Sequence, residues 1–262
     1  MRRIAKTWTT LIVALGCVAA VAGERQVDQT IEAAADGTVG IELISGSVRF
    51  VGWSGDEIRI TGTLGRDVEG LDVRKSDNSV RIEVELVERS GGMHEADADL
   101  EIRVPADSRI EAESVSADLE IEGIRGEVSI ESVNGEVQIR GEVTEAEVAT
   151  VSSDVHVASD GRLRDGRFET VSGSIEFEGA LDPTGRFDFE AVSGDITLRI
   201  PAGTAADFDV ETFSGTIVNE LGPEPRRTSE HLPSKSLAFS TGAGGARVSI
   251  ESFSGTVRIL GR

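Results

Sequence analysis

At 262 residues, 39% apolar and 28% charged, the chain can bury one large β core and lies within the globular range. Its formal charge of −21 argues against nucleic acid or an anionic membrane as partner, because phosphate binding needs clustered Lys and Arg, and only Lys6, Lys75 and Lys235 are lysines. One cysteine, Cys17, leaves no disulfide framework and no cysteine-based metal site.

Residues 1–22 read as an export signal. Arg2, Arg3 and Lys6 are basic, residues 11–21 are apolar, and Ala20-Val21-Ala22 supplies a small-x-small cleavage pattern before Gly23. Losing three basic residues and no acid takes the mature charge to −24. A lipoprotein signal ending at Cys17 is the alternative, with a shorter apolar stretch and poorly ordered flanks. No later stretch is apolar for long enough to span a membrane. Residues 23–36 read as an N-terminal linker and 37–262 as the folded body.

That body repeats one phrase: ELISGSVRF, ESVSADLEI, ESVNGEVQI, ATVSSDVHV, ETVSGSIEF, EAVSGDITL, ETFSGTIVN and ESFSGTVRI. The large apolar residue before the Ser or Asn anchors the alignment: Ile44, Val115, Val133, Val151, Val171, Val192, Phe213 and Phe253. From Val115 to Phe213 the steps are 18, 18, 20, 21 and 21 residues. Three before the anchor stand Ile41, Ala112, Ile130, Val148, Phe168, Phe189, Val210 and Ile250; four after stand Val48, Leu119, Val137, Val155, Ile175, Ile196, Ile217 and Val257. Each unit is strand, bend, strand with one apolar face at period two.

Two topologies fit the unit. A two-residue hairpin turn at Ser-Gly would put every anchor on the polar face. A corner of a β-helix coil would turn the anchor and the small residue before it inward, so that Val133, Val151, Val171 and Val192 stack in one interior column. The second uses the recurrent Val and Phe, and predicts an all-β, single-chain β-helix-like solenoid with coils of about 18–21 residues. Residues 51–104 are less regular and read as its capping part; residues 222–233 read as a loop excursion from one coil.

The VSG and VNG phrases, the VPADS and IPAGT strand ends and the closing STGAGGARVSIESFSGTVRI make the stretch from Val39 to Leu260 resemble the bacterial "putative adhesin" family of unknown function, whose domains are similar to the head domain of autotransporter adhesins. The resemblance implies a β-helix-like solenoid and brings no catalytic residues with it.

No chemistry stands out. His94, His156 and His231 are not at ligand spacing with one another, and residues 242–245 have the glycines of a turn without the lysine of a phosphate loop. The mature chain has no Tyr and one Trp, Trp53, which disfavours a long sugar-binding groove. No catalytic and no cofactor-binding residue is assigned. What does recur is a glutamate two before the anchor (Glu113, Glu131, Glu169, Glu190, Glu211 and Glu251, with Ala149 as the gap), and an acid three after it at Asp118, Glu136, Asp154 and Asp195. This double stripe reads first as a solvated face and second as a calcium-binding or cationic-partner site.

The functional expectation is an exported, adhesin-like binding module of the periplasm, cell surface or extracellular space, not an enzyme, whose partner is an unidentified protein or envelope component. Two alternatives are a self-assembling envelope scaffold that stacks end to end through an uncovered C-terminal repeat, and a polysaccharide-active β-helix enzyme.

Overall fold

The computed structural model describes residues 25–87, 96–228 and 232–262; the export signal, His94 and His231 lie outside them. Among the described residues there is no helix. In chain order the strands are β1 (Arg25–Glu32), β2 (Thr38–Trp53), β3 (Glu57–Leu64), β4 (Val68–Ser76), β5 (Ser79–Leu86), β6 (Asp97–Pro105) and β7 (Arg109–Ile124). There follow β8 (Glu127–Asn134), β9 (Val137–Gly141), β10 (Glu145–Ser152), β11 (Val155–Ser172), β12 (Ile175–Ser193) and β13 (Ile196–Ile200). The chain closes with β14 (Ala206–Thr212), β15 (Thr216–Asn219), β16 (Arg226–Arg227), β17 (Lys235–Thr241), β18 (Ala246–Ser254) and β19 (Thr256–Gly261).

Successive repeats pair in parallel, rung upon rung, which is solenoid pairing and not hairpin pairing. The arm before each corner stacks in the order β5, β2, β7, β8, β10, β11, β12, β18, β14. The arm after it stacks as β6, β2, β7, β9, β11, β12, β13, β19, β15. Equivalent residues meet in register, as in Ile130↔Val148, Val148↔Phe168 and Phe168↔Phe189. The expected inward positions three before and four after the anchor are buried in every coil, each at 5% exposure or less. Phe168, Phe177 and Phe189 fill the middle, with ring centroids 5.1 to 6.2 Å apart.

The corner differs from the expectation. Val133, Val151, Val171 and Val192 do not form an interior column; with Ile44, Val115, Phe213 and Phe253 they are 39% to 56% exposed. Only the residue before the anchor turns in: Ser114, Ser132, Thr150, Thr170, Ala191, Thr212 and Ser252 are all buried, as is Leu43 before Ile44. The anchor and the Ser or Asn after it both point outward, and that pair of outward residues flips the strand phase. In many coils the residue that follows is a glycine, and its conformation explains why. Gly135 and Gly173 have φ of 112° and 147°, and a Cβ on either would lie 2.1 Å from the carbonyl oxygen of the coil beneath.

Both ends depart from a plain stack. β1, which occupies the segment expected to be a linker, pairs antiparallel with β3; β3 lies antiparallel on β6, and β4 on β5. At the other end the last repeat is not last in space. β18 and β19 insert between the coil of β12 and β13 and the coil of β14 and β15. The repeat expected to offer an uncovered edge is therefore paired on both sides, and β17, with the two-residue β16, lies antiparallel on β14 as a cover.

Truncating Phe189 to Ala should cost about 3–5 kcal/mol, whereas Val171→Ala should stay within about 0.5 kcal/mol because its side chain faces solvent. Gly173→Ala, though it adds one methyl, should cost more than Val171→Ala, through strained φ and the carbonyl contact. Chemical denaturation of the three variants checks the ranking.

Candidate functional site

The outward residues of the corner make straight columns because the coils are in register. The apolar anchors run Ile44, Val115, Val133, Val151, Val171, Val192, Phe253, Phe213. The final two are exchanged relative to chain order, and their rings stack at 4.8 Å and 9°. Beside them, two residues earlier on each strand, runs the glutamate column: Glu83, Glu42, Glu113, Glu131, Ala149, Glu169, Glu190, Glu251, Glu211. All six glutamates of the expected stripe lie in it. Glu42 and Glu83 extend it; Glu42 stands in the first repeated phrase and was open to the same alignment, but Glu83 lies in the irregular part, where no phrase marks it.

Between the two columns the buried Ser and Thr residues floor a groove. It divides into stretches of about 560 and 570 Å³ that share Ala149 and Thr150, the point where the glutamate column is interrupted. At the far end Thr228, Ser234 and Lys235 wall it beside Phe213 and Phe253, and Lys235 is pinned there by donating to the Gly215 carbonyl at 2.9 Å. The floor is polar but mostly self-satisfied at one end: the Ser114 and Ser132 hydroxyls are 2.9 Å apart, and Ser132 also donates to the Asn134 carbonyl. Towards the other end the hydroxyls of Thr170, Thr212 and Ser252 have no hydrogen-bond partner among the described residues.

The second acidic stripe is structural. Asp118, Asp154 and Asp195 each accept the backbone N–H of the equivalent corner position on the next coil, from Glu136, Ser174 and Thr256 at 2.7 to 2.8 Å. Arg258 also donates to Asp195 at 2.7 Å, and that bond, with the Thr256 N–H, holds the Asp195 carboxyl below its ordinary range.

The glutamate column has little such support. Arg167 donates to Glu169, and Arg81 to Glu42. Glu190 has carboxylates on both sides, and burial first, then Glu169 and Glu251, push its carboxyl above the usual range. The column is a line and not a cage. Calcium takes six to eight oxygens, and among the described residues no three His, Asp or Glu side chains converge on a point that could hold a metal. The geometry favours the cationic-partner reading of the stripe over the calcium one.

The remaining candidates are apart from the groove. His156 lies on the outer face of the other arm, 3.8 Å from Glu136 and 3.4 Å from Glu176. Trp53 is half-buried and donates its indole N–H to the Glu57 carbonyl at 3.0 Å.

A raised carboxyl pKa means that the folded chain holds a proton the unfolded chain releases. Stability then falls as pH rises from the ordinary carboxylate range through the raised value, and stays lower above it. Glu190→Gln should raise the unfolding temperature at pH 7 and flatten that fall. Added salt should shrink the gain. An unchanged or lower unfolding temperature at pH 7 would mean that these carboxylates splay into solvent without repelling.

The chain is similar in structure to a "putative adhesin" from Bacteroides fragilis, at 11% identity, covering 90% of this chain and 97% of that one, with a TM-score of 0.48. A "putative cell adhesion protein" from Clostridium sporogenes is 11% identical over 90% and 100%, at 0.43. A "putative lipid binding protein" from Parabacteroides distasonis is 10% identical over 90% and 96%, at 0.39. At such identities and scores none of them bears on what this chain binds. No curated protein matches the sequence. Residues 121–260, more than half of the chain and including its six corners from Val133 onward, match the family described as Toastrack DUF4097, and the chain belongs to that family.

Proposed function

We propose that this chain is an exported, adhesin-like surface-binding module and not an enzyme, and that its binding face is the groove between the apolar and glutamate columns. The observation that carries this is the apolar ladder. Single exposed Val or Phe residues are ordinary on any surface. Eight in register, each 39% to 56% exposed, form one continuous apolar stripe, and such stripes on soluble proteins mark contact surfaces. The fold holds the stripe in place: from Val115 to Val192 the residues immediately before and after each anchor pair in register with neighbouring coils, so little ordering is left to oppose binding. The absence of an assigned catalytic group is an expectation from the sequence, and the groove's residues (carboxylates in a row, aliphatic side chains, small hydroxyls) suit recognition better than turnover.

The test uses the mature chain, residues 23–262, and isolated envelope fractions. Replacing Val151, Val171 and Val192 together by Ser should abolish retention on the envelope while leaving the unfolding temperature within a few degrees, because all three side chains face solvent. Undiminished retention would remove the groove from the function, and depolymerisation of an envelope glycan by the wild-type chain would replace binding with catalysis.

A further inference from the structure

Two columns of different chemistry lie side by side along the whole solenoid, and their repeat is set by the backbone. Coils pair about 4.8 Å apart, so the eight apolar rungs span about 34 Å. The glutamates stand two residues away along each strand, about 6.6–6.8 Å to one side. On the other side stand Ser116, Asn134, Ser152 and their equivalents, which are neutral. A ligand fitting this face is apolar along one line and basic along the glutamate flank, because the aspartates beyond the Ser and Asn column on the other flank are already engaged by backbone N–H groups.

The repeat decides what kind of chain that ligand is. An α-helix presents a side chain to one face about every 5.4 Å, one turn. Against rungs of about 4.8 Å the misfit is about 0.6 Å per turn, so a helix stays within half a rung for about four turns and drifts by about 3.8 Å over the full ladder. An extended strand presents same-face side chains about every 6.6–6.8 Å, which misses the next rung by about 1.9 Å, about three times the misfit of a helical turn. On a helix about 10 Å across, stripes about 80–100° apart are separated by roughly 6–8 Å, which matches the distance between the two columns.

We propose that the groove seats a basic amphipathic α-helix of about 22 residues, lying along the solenoid axis with its apolar stripe on the valine–phenylalanine ladder and a single flank of Lys or Arg against the glutamates. The inference rests on the groove being the binding face, and it names the chemistry of the partner. Charge complementarity selects a basic partner over a second copy of this acidic chain and over an anionic lipid surface. Glu190, crowded by Glu169 and Glu251, gains a counter-charge when the helix is seated. Ala149 leaves one rung of the glutamate column without a charge to pair.

The experiment measures binding of labelled 22-residue peptides to the mature chain by fluorescence anisotropy. One peptide carries Leu at helical period with Lys on one flank only. A second has the same composition in strand alternation, and a third has Glu in place of Lys. Phosphatidylglycerol vesicles are the fourth probe. The helical-period basic peptide should bind, gain helical circular dichroism on the protein, and weaken with salt. Glu169→Gln with Glu190→Gln should lower its affinity about three- to tenfold, and Ala149→Glu should raise it about two- to fivefold. The inference is overturned by equal binding of the strand-alternating or acidic peptide, by preference for vesicles, or by no peptide binding. If peptides fail while the triple serine variant still loses envelope retention, the helix is wrong and the binding face stands. If the helical peptide binds and the triple variant keeps envelope retention, the seat stands and its role at the envelope falls.

Discussion

Parallel backbone pairing between coils, in register, is the constraint on which everything else here depends. It fixes the rise from one repeat to the next, and it forces whatever residue occupies a given place in the coil to sit directly on its equivalent. Burial, capping and surface chemistry then come as columns and not as points. A phenylalanine in one coil packs on a phenylalanine in the next. A corner aspartate caps the following corner. A glutamate meets a glutamate, whether or not that contact is favourable.

The same constraint separates the two acidic stripes that look alike in sequence. The aspartates after the corner are short enough to reach the N–H of the neighbouring coil, so their charge is spent on backbone groups that the bend leaves unpaired. The glutamates before the corner emerge from a fully paired strand. With the backbone satisfied, only arginines such as Arg167 and Arg81 relieve them, and those are few. One stripe thus belongs to the fold, and the other is left facing outward beside an apolar ladder.

Much of this was legible in the residues. Period-two alternation located the inward positions on both arms of every coil, because large β-branched and aromatic residues alternate there with polar ones. The anchors were misplaced for a physical reason: burial of apolar residues is a one-way rule, and a recurrent Val or Phe need not be inside. The residue just before the anchor turns in instead, a Ser or Thr in most coils but Ala191 and Leu43 in two of them. The exchange of Phe253 and Phe213 was hidden because both phrases satisfy the same neighbours. Arg25–Glu32 showed no signal of a strand because it pairs on an outer edge, where neither face is deeply buried. Glu83 escaped because its coil lacks the phrase by which the others align.

The insertion of the final repeat has a consequence for the order in which the chain can assemble. A growing polypeptide releases β14 and β15 before β18 and β19 exist, at a time when β12 and β13 offer a free edge. The incoming repeat resembles the one that belongs there: Glu211 could stand on Glu190, and Phe213 on Val192, with the same small residue turned inward. The native stack instead has Glu251 and Phe253 in those places. Residues 246–261 must therefore arrive before the neighbouring repeat pairs with β12 and β13, or displace it afterwards; in the finished stack β17 pairs with the far side of β14. Completion of this end is tied to strands that follow β14 and β15 in the chain, since β18 and β19 must lie between them and the coil of β12 and β13.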